Sequence, residues 1–263
     1  MATIRYIAFL SDHPEELVKF YSHYLGAEEL GRSASGDISI TDGHMNLTFF
    51  KKRAALCEPR METGLNHIGI QVESVEQAKN RYLKLYPRGP VIPEEGGLHH
   101  GAIRIHDPDG NPVSLSEKPF GVIEARRIPA IRHIAYNAMD PEGMREFYSE
   151  IFGFAEVPSG FEYRRAGKLN RFVGDGHINL AIHPFYNSGS TGHEMKFGIN
   201  HIGFLVRNLK AAMEEMSSVV KITKRPADRP YAEYRIADPE GNRLDLSQSK
   251  GWEVGINRWE RVA

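Results

Sequence analysis

The stretch Asp238-Pro-Glu-Gly-Asn-Arg-Leu-Asp245-Leu246 decides the fold, because it joins a tight turn directly to a short strand. Its first five residues are typical of a turn. The alternation of polar and apolar residues that follows predicts a strand over residues 243–247. Leu244 and Leu246 then share one face of the strand, and Asp245 points to the other. A carboxylate inside a sheet is costly unless it pairs with a charge or binds a metal. His133 and His201, at matching places in the chain, are the two candidates for the residue that Asp245 faces.

Repeats of this turn and of other short motifs indicate an internal duplication. Asp107-Pro-Asp-Gly-Asn111 matches residues 238–242 at a shift of 131, and Asp42-Gly-His44 matches Asp175-Gly-His177 at a shift of 133. Each half is itself doubled, because four segments begin alike: Arg5-Tyr6-Ile-Ala, Asn66-His67-Ile-Gly, Arg132-His133-Ile-Ala and Asn200-His201-Ile-Gly. Such self-similarity is typical of a repeated structural unit.

Each repeat begins with a β-rich run, continues with a helical pattern and ends with further strand-like runs. Apolar residues at three- and four-residue spacing predict the helices, over residues 14–24, 75–85, 142–152 and 209–219. The sequence therefore predicts an α+β protein of four strand–helix–strand–strand–strand (βαβββ) units. The expected divisions are an N-terminal domain at 1–118, a linker at 119–130, a C-terminal domain at 131–249 and a tail at 250–263. The tail is expected to pack on the body, because it carries two tryptophans.

Composition and charge exclude several classes of function. The 263 residues carry a formal net charge of −1 and are 41% hydrophobic and 25% charged. These values are ordinary for a globular protein and give no field that would attract nucleic acid or an anionic membrane. Cys57 is the single cysteine and cannot form an internal disulfide, which suits a reducing compartment. Without a transmembrane-length apolar run or signal-peptide features, we expect a soluble cytoplasmic protein with no nucleic-acid or membrane partner.

Four βαβββ units, with histidines at strand starts and Asp-Pro-x-Gly-Asn turns before final strands, resemble the vicinal oxygen chelate superfamily. That superfamily includes glyoxalase I, bleomycin-resistance proteins and type I extradiol dioxygenases. The resemblance covers nearly the whole chain. It implies that units pair into curved sheets, so that the four units form two paired-sheet domains. It also implies a divalent metal, held by side chains from the first strand of each unit and from a last strand.

Carried onto this sequence, the resemblance implies a metal site in the C-terminal half. The first strands supply His133 and His201, and the final strand supplies Asp245. The corresponding positions of the N-terminal half are Tyr6, His67 and Ser114. Two imidazoles and one carboxylate suit Fe(II), which we expect, and are tolerated by Mn(II) or Zn. A pairing of Asp245 with Arg243 or Arg235 is the structural alternative.

Further site residues are implied by the likeness to extradiol dioxygenases. Those enzymes carry an acid–base histidine in the third unit, where this chain has His183 and His177. Because His44 repeats His177 in the half without the metal set, a turn-shaping role is the alternative for His177. A tyrosine near the final turn is also implied, and Tyr234 lies one residue from that position. We predict catalytic roles for His183, His177 and Tyr234 and substrate-binding roles for Arg235 and Tyr231.

The leading hypothesis is an Fe(II)-dependent extradiol-type dioxygenase that acts with O₂ on a small phenolic or catechol-like molecule. A second hypothesis is an isomerase, epimerase or lyase that uses the metal without O₂. Such an enzyme needs a fourth ligand or a base from the third unit, and the presence of Asn179 there rather than a glutamate counts against it. A third is metal-free binding of a planar ligand, as in bleomycin-resistance proteins. A homodimer is not required, because both units of each sheet lie in one chain.

Overall fold

The computed structural model describes residues 2–53, 62–123, 125, 127–157, 164–165, 167–185, 197–227, 231–249, 251–252 and 254. Within these residues the chain forms the four predicted βαβββ units, together with a short hairpin that the sequence did not predict. No helix in this part of the chain is long and apolar enough to cross a membrane.

The N-terminal half contains two units in succession. The first consists of β1 (Thr3–Ser11), α1 (Pro14–Leu25), β2 (Glu28–Arg32), β3 (Ile38–Thr41) and β4 (Asn46–Lys51). The second consists of β5 (Gly64–Gln71), α2 (Val75–Leu85), β6 (Ile92–Pro93), β7 (Ile103–His106) and β8 (Pro112–Ser116). The edge strands β2 and β6 are largely exposed, whereas β1 and β8 are almost entirely buried.

The C-terminal half repeats this plan with one insertion. Its first unit consists of β9 (Ala130–Ala138), α3 (Pro141–Phe152), β10 (Ala155–Glu156), the inserted hairpin β11 (Arg164–Arg165) and β12 (Lys168–Leu169), then β13 (Arg171–Gly174) and β14 (Asn179–Pro184). Its second consists of β15 (Gly198–Leu205), α4 (Leu209–Met216), β16 (Thr223–Lys224), β17 (Tyr234–Ala237) and β18 (Arg243–Ser247).

Each half forms one eight-stranded sheet from its two units. The strand order is β2-β3-β4-β1-β5-β8-β7-β6 in the first sheet and β10-β13-β14-β9-β15-β18-β17-β16 in the second. The first strands of the two units pair antiparallel at the centre of each sheet. Each of them also pairs in parallel with the last strand of its own unit. First-strand and last-strand residues therefore lie side by side, as a site built from both requires.

The helix boundaries follow local sequence signals. Pro14 and Pro141 occupy the first turns of α1 and α3, where a missing backbone N–H costs little. Gly26 and Gly153 end these helices with φ of 64° and 73°, a left-handed conformation that favours glycine. The hydroxyl of Ser74 accepts a hydrogen bond from the backbone at the start of α2. The apolar helix faces and both sheets share one hydrophobic core.

The repeated Asp-Gly-His motif joins the two halves. Asp42 Oδ2 accepts a hydrogen bond of 2.7 Å from the backbone N–H of Ile131, in the first strand of the other half. Asp175 Oδ2 accepts the equivalent bond of 2.7 Å from Ile4. Between these two contacts, the rings of His44 and His177 stack at 4.3 Å. The motif therefore fixes each half to the start of the other.

Candidate functional site

Strand pairing in the C-terminal sheet brings the three predicted metal ligands together. Gly203 of β15 pairs with His133 of β9 on one side and with Asp245 of β18 on the other. His201 lies two residues before Gly203 and therefore on the same face of β15. His133, His201 and Asp245 are each at most 5% exposed.

The polar atoms of the three side chains converge. The Nε2 atoms of His133 and His201 are 3.3 Å apart. His201 Nε2 is also 3.4 Å from Asp245 Oδ2. Ligand atoms that each lie about 2.1 Å from one metal, at right angles to each other, are about 3 Å apart. The two observed separations are therefore slightly longer than this spacing.

Each imidazole is oriented by an asparagine. His133 Nδ1 is 2.9 Å from Asn179 Oδ1, and His201 Nδ1 is 2.8 Å from Asn200 Oδ1. When Nδ1–H donates to the amide oxygen, the lone pair is left on Nε2. The two histidines thus turn acceptor atoms toward each other, an arrangement that a cation between them would stabilise.

Burial keeps both imidazoles neutral. It lowers the pKa of His133 to about 4, an effect that the negative charge of Asp245 partly offsets. Burial also lowers the pKa of His201 well below its usual value, and the positive charge of Arg235 acts in the same direction. A histidine binds metal through its neutral form, so neither ring needs to lose a proton at neutral pH.

Asp245 is held by an arginine. Arg235 lies directly opposite it in the β17–β18 pairing, and the Arg235 Nε and Nη2 donate to Oδ1 and Oδ2 at 2.5 and 2.9 Å. Arg225 Nε is 4.0 Å from Oδ2. Among the described residues, no group of three or more His, Cys, Asp or Glu side chains forms a ready metal site. The donor types fit a divalent metal, but Arg235 competes for the carboxylate.

Trp252 closes one side of the histidine pair. Its indole stacks on the His133 ring at 5.3 Å with an interplanar angle of 12°, and the residue is buried. Gly203 makes this approach feasible, because a Cβ there would lie 2.6 Å from Trp252 Cζ2 and 2.8 Å from His133 Cβ. The predicted tail contains Trp252, and its part beyond residue 254 lies outside the described residues.

An apolar wall stands beside the histidines. The rings of Phe172 and Tyr231 are 5.8 Å apart. They pack with Ala135, Val157 and Ala181. The His183 ring is 5.9 Å from that of Phe172 and 6.4 Å from that of His201. The structure therefore places His183 beside His201 and Tyr231 against Phe172 in this wall, while Arg235 contacts Asp245.

Two predicted catalytic residues are not brought to this site. Tyr234 lies opposite Leu246 and packs against the hydrophobic core. Strand alternation puts it on the face opposite its neighbour Arg235, so its ring points away from the histidine pair. His177 stacks on His44 at the contact between the halves, in keeping with the turn-shaping alternative.

Several residues of the site were not predicted, among them two asparagines, an arginine and the aromatic residues Phe172 and Trp252. Asn179 and Asn200 orient the histidines, and Arg225 approaches Asp245. The sequence carried a signal for the asparagines, because the N-terminal half repeats them as Asn46 and Asn66. Arg225 had no such signal, since it follows a two-residue edge strand in a stretch without periodicity.

Comparison with known proteins agrees with this architecture. Chains of similar fold include the 2,3-dioxygenase LapB from Pseudomonas sp. KL28, with 16% identity, a TM-score of 0.68 and 95% of each chain covered. The Mn(II)-bound glyoxalase from Novosphingobium aromaticivorans has 17% identity and a TM-score of 0.68, over 95% of this chain and 83% of that one. A variant of homoprotocatechuate 2,3-dioxygenase from B. fuscum has 13% identity and a TM-score of 0.70, over 97% and 73%.

The sequence itself also matches a family. A search of curated protein sequences found no match. The profile of the Glyoxalase/Bleomycin resistance protein/Dioxygenase superfamily, however, matches residues 3–115 and 130–246, one segment in each half. These segments correspond to the two eight-stranded sheets. The chain therefore belongs to the Glyoxalase/Bleomycin resistance protein/Dioxygenase superfamily.

Proposed function

We propose that the C-terminal half binds a divalent metal, with Fe(II) the first candidate, through His133, His201 and Asp245. We further propose that the protein is an extradiol-type dioxygenase acting on a small phenolic or catechol-like molecule. The facing pair of buried, neutral imidazole nitrogens beside a carboxylate supports this most strongly. When bound, the metal would supply Lewis acidity to chelating hydroxyl groups and a redox centre for O₂.

His183 is the proposed acid–base residue. Its ring lies 6.4 Å from the His201 ring and roughly parallel to it, at 14°, close to the proposed metal site. Imidazole suits proton transfer near neutral pH. In this role His183 takes a proton from a ring hydroxyl as the substrate binds and returns it later in the reaction.

Arg235 and the apolar wall would bind the substrate. Phe172 and Tyr231 offer aromatic surface to a planar ring and exclude water from it. Arg235 changes partner in this proposal: as Asp245 turns to the metal, the guanidinium becomes available to the oxygen of a deprotonated substrate. A guanidinium beside that oxygen stabilises the anion by a charge-assisted hydrogen bond.

Oxygen uptake tests the proposed reaction. Protein purified anaerobically and reconstituted with Fe(II) is expected to consume O₂ with at least one member of a panel of catechols and hydroquinones. His183→Ala should lower kcat by about 10²-fold or more, whereas His177→Ala should leave it near the wild-type value. No uptake with any member of the panel would contradict the dioxygenase proposal. Turnover under argon with Mn(II) would favour an isomerase or lyase instead.

A metal-free binding protein is the second candidate. The bidentate pairing of Arg235 with Asp245 favours it, because the carboxylate already has a counter-charge. In that case the protein would bind a planar ligand without any stoichiometric metal. His133→Ala would then leave ligand affinity unchanged, which isothermal titration calorimetry can measure.

A further inference from the structure

The N-terminal half has a cavity where the C-terminal half has its histidine pair. Tyr6, His67 and Ser114 line this cavity, whose volume is about 530 Å³. Gly69 pairs with Tyr6 on one side and Ser114 on the other, in the register that Gly203 has in the other sheet. The volume is in the range of small-molecule sites.

His67 presents one defined nitrogen to this cavity. The residue is 2% exposed, and its Nδ1 is 2.8 Å from Asn66 Oδ1. When Nδ1–H donates to that oxygen, Nε2 remains as a hydrogen-bond acceptor. Burial, with the positive charge of Arg104, lowers the pKa of His67 well below its usual value. His67 Nε2 is therefore a neutral hydrogen-bond acceptor in the cavity, and a ligand with a hydroxyl or N–H group could donate to it.

Two of the three carboxylates that line the cavity are paired within its wall. Glu94 accepts from Arg104 Nε at 2.7 Å, from Ser114 Oγ at 2.9 Å and from the backbone N–H of Gly101 at 3.1 Å. Asp37 accepts from Arg53 Nη1 at 2.9 Å. Each of these two carboxylates thus has its counter-charge within the wall, whereas Glu95 is exposed to solvent. An anionic ligand would have to displace Glu94 or Asp37 from its arginine, so the cavity favours a neutral ligand over an anionic one.

Strand register shows how this half differs from the other. Ile92 lies opposite Arg104 as Thr223 lies opposite Arg235. Glu94 lies two residues after Ile92, and Arg225 lies two residues after Thr223, so Glu94 and Arg225 occupy equivalent positions. In the N-terminal half the carboxylate is therefore Glu94, in the loop after the edge strand β6. The last-strand position that Asp245 occupies in the C-terminal half is Ser114. Glu94 is already held by Arg104, Ser114 and the backbone of Gly101.

One side of the cavity is aromatic. Tyr6 stacks on Phe120 at 5.0 Å with an interplanar angle of 23°. Phe50 packs against this pair and lines the cavity. Aromatic faces bind planar rings by offset stacking and by burial of apolar surface.

We propose that the N-terminal half carries a second, metal-independent binding site for a neutral, planar, hydroxylated ring. The ring hydroxyl donates to His67 Nε2, and the ring lies against Tyr6 and Phe50. This site is separate from the proposed metal site and does not depend on it, so either proposal can fail alone.

Calorimetry on metal-stripped protein tests the site with three probes of the same shape. We expect 2-naphthol to bind at one per chain. Naphthalene, which lacks the donor, and 2-naphthoate, which is an anion, should each bind about tenfold more weakly. An anion that binds more tightly than 2-naphthol would overturn the proposal.

Matched variants locate the probe. His67→Phe should weaken 2-naphthol about tenfold, and His201→Phe, its counterpart in the other half, should have no effect. Because a buried substitution can disturb folding, Ile92→Trp is the second variant. It fills the cavity from an exposed edge strand, and Thr223→Trp is its control. Unchanged affinity in either His67→Phe or Ile92→Trp, or loss in His201→Phe alone, would overturn the proposal.

Discussion

In the proposed metal site Asp245 has two competing partners, the guanidinium of Arg235 and the cation that the histidine pair would hold. The guanidinium already binds both carboxylate oxygens, at 2.5 and 2.9 Å. A hydrogen bond to a charged group contributes about 1.5–3 kcal/mol. Because the metal must displace part of this pairing, Arg235 is expected to lower metal affinity while keeping the carboxylate in place.

Removing the guanidinium should therefore tighten metal binding. We expect Arg235→Met to lower the Kd for Mn(II) about tenfold or more, as about 1.4 kcal/mol of competing interaction is lost. Competition with a metal chelator under anaerobic conditions measures the change. Arg104→Met, at the equivalent position of the N-terminal half, is the control and should leave the Kd unchanged. Weaker binding by Arg235→Met would show that the arginine supports the site.

The low pKa of His133 makes stability depend on pH. In the unfolded chain this imidazole titrates near 6.5, and in the folded protein at about 4. Between these values the unfolded state binds a proton that the folded state does not. The stabilisation is therefore present above pH 6.5 and is lost as pH falls toward 4, by up to about 3 kcal/mol from this group.

Urea denaturation of metal-free protein at pH 8 and pH 5 measures this effect. The decrease in unfolding free energy should be smaller in His133→Gln than in the wild type. His13→Gln, at an exposed position, should retain the wild-type dependence. An equal pH dependence in His133→Gln would mean that His133 is not the group responsible.

Among the elements, the central strand pairs decide where site residues meet. In each half, the first strand of the second unit (β5 or β15) carries a glycine. This glycine leaves room for an aromatic side chain to cover a residue of the neighbouring strand, β1 or β9. Trp252 covers His133 above Gly203, and Phe120 covers Tyr6 above Gly69. These aromatic residues follow the last strand of each half. The glycine and its covering aromatic residue therefore occur in both halves, in the one with the predicted metal ligands and in the one without them.

The lack of space above Gly203 predicts a steric effect. In Gly203→Ala the added Cβ would lie 2.6 Å from Trp252 Cζ2, so the indole must move from His133. Overpacking of this kind costs about 1–3 kcal/mol. Urea denaturation gives the stability change, and tryptophan fluorescence reports the displaced indole. Gly31→Ala is the control: its Cβ would have its nearest neighbour at 3.6 Å, so the unfolding free energy should change little. An equal loss of stability in Gly203→Ala and Gly31→Ala would contradict the close packing of Trp252 on Gly203.

In the whole molecule, the two halves are joined by reciprocal contacts. Asp42 accepts hydrogen bonds from the backbone N–H groups of His44, Met45 and Ile131. Because the last of these lies in the other half, each Asp-Gly-His turn serves both its own hairpin and its neighbour. The hydrophobic core likewise includes residues from both halves. Folding of the two halves is expected to be cooperative.

Removal of the Asp42 carboxylate should destabilise the whole chain. Asp42→Ala leaves three buried backbone N–H groups without this acceptor, and we expect a loss of about 3 kcal/mol in a single transition. Denaturation followed by both fluorescence and circular dichroism checks size and cooperativity. Asp12→Ala, at an exposed position, is the control. A change below about 0.5 kcal/mol would contradict the role given to the motif.

Repetition in the sequence made most of the fold predictable. The helix over 75–85 was predicted with its observed ends, whereas α4 ends at Met216 rather than at 219. The exposed edge strands β2, β6, β10 and β16 have no apolar alternation, because neither face is buried deeply enough to select it. The hairpin of β11 and β12 is an insertion in one unit, so no repeat indicated it.

The candidate site was predictable only in part. The grouping of His133, His201 and Asp245 could be predicted because the resemblance implies ligands on first and last strands, and these strands pair in the sheet. Arg243 and Arg235 were both named as partners for Asp245, and the choice of Arg235 depends on register across β17 and β18, which a turn length does not fix. Tyr234 shows the same limit, since a one-residue difference in a strand moves a side chain to the other face.

Metal content is the most direct test of the central claim, that His133, His201 and Asp245 share one cation. Wild-type protein purified without chelators should contain about one divalent metal per chain, or gain it on reconstitution with Fe(II) or Mn(II). His201→Ala and Asp245→Ala should each retain less than about a tenth of that amount at equal metal concentration. His67→Ala, the matched control, should retain all of it. A wild-type protein that binds neither metal, or variants that bind as much as the wild type, would contradict the claim.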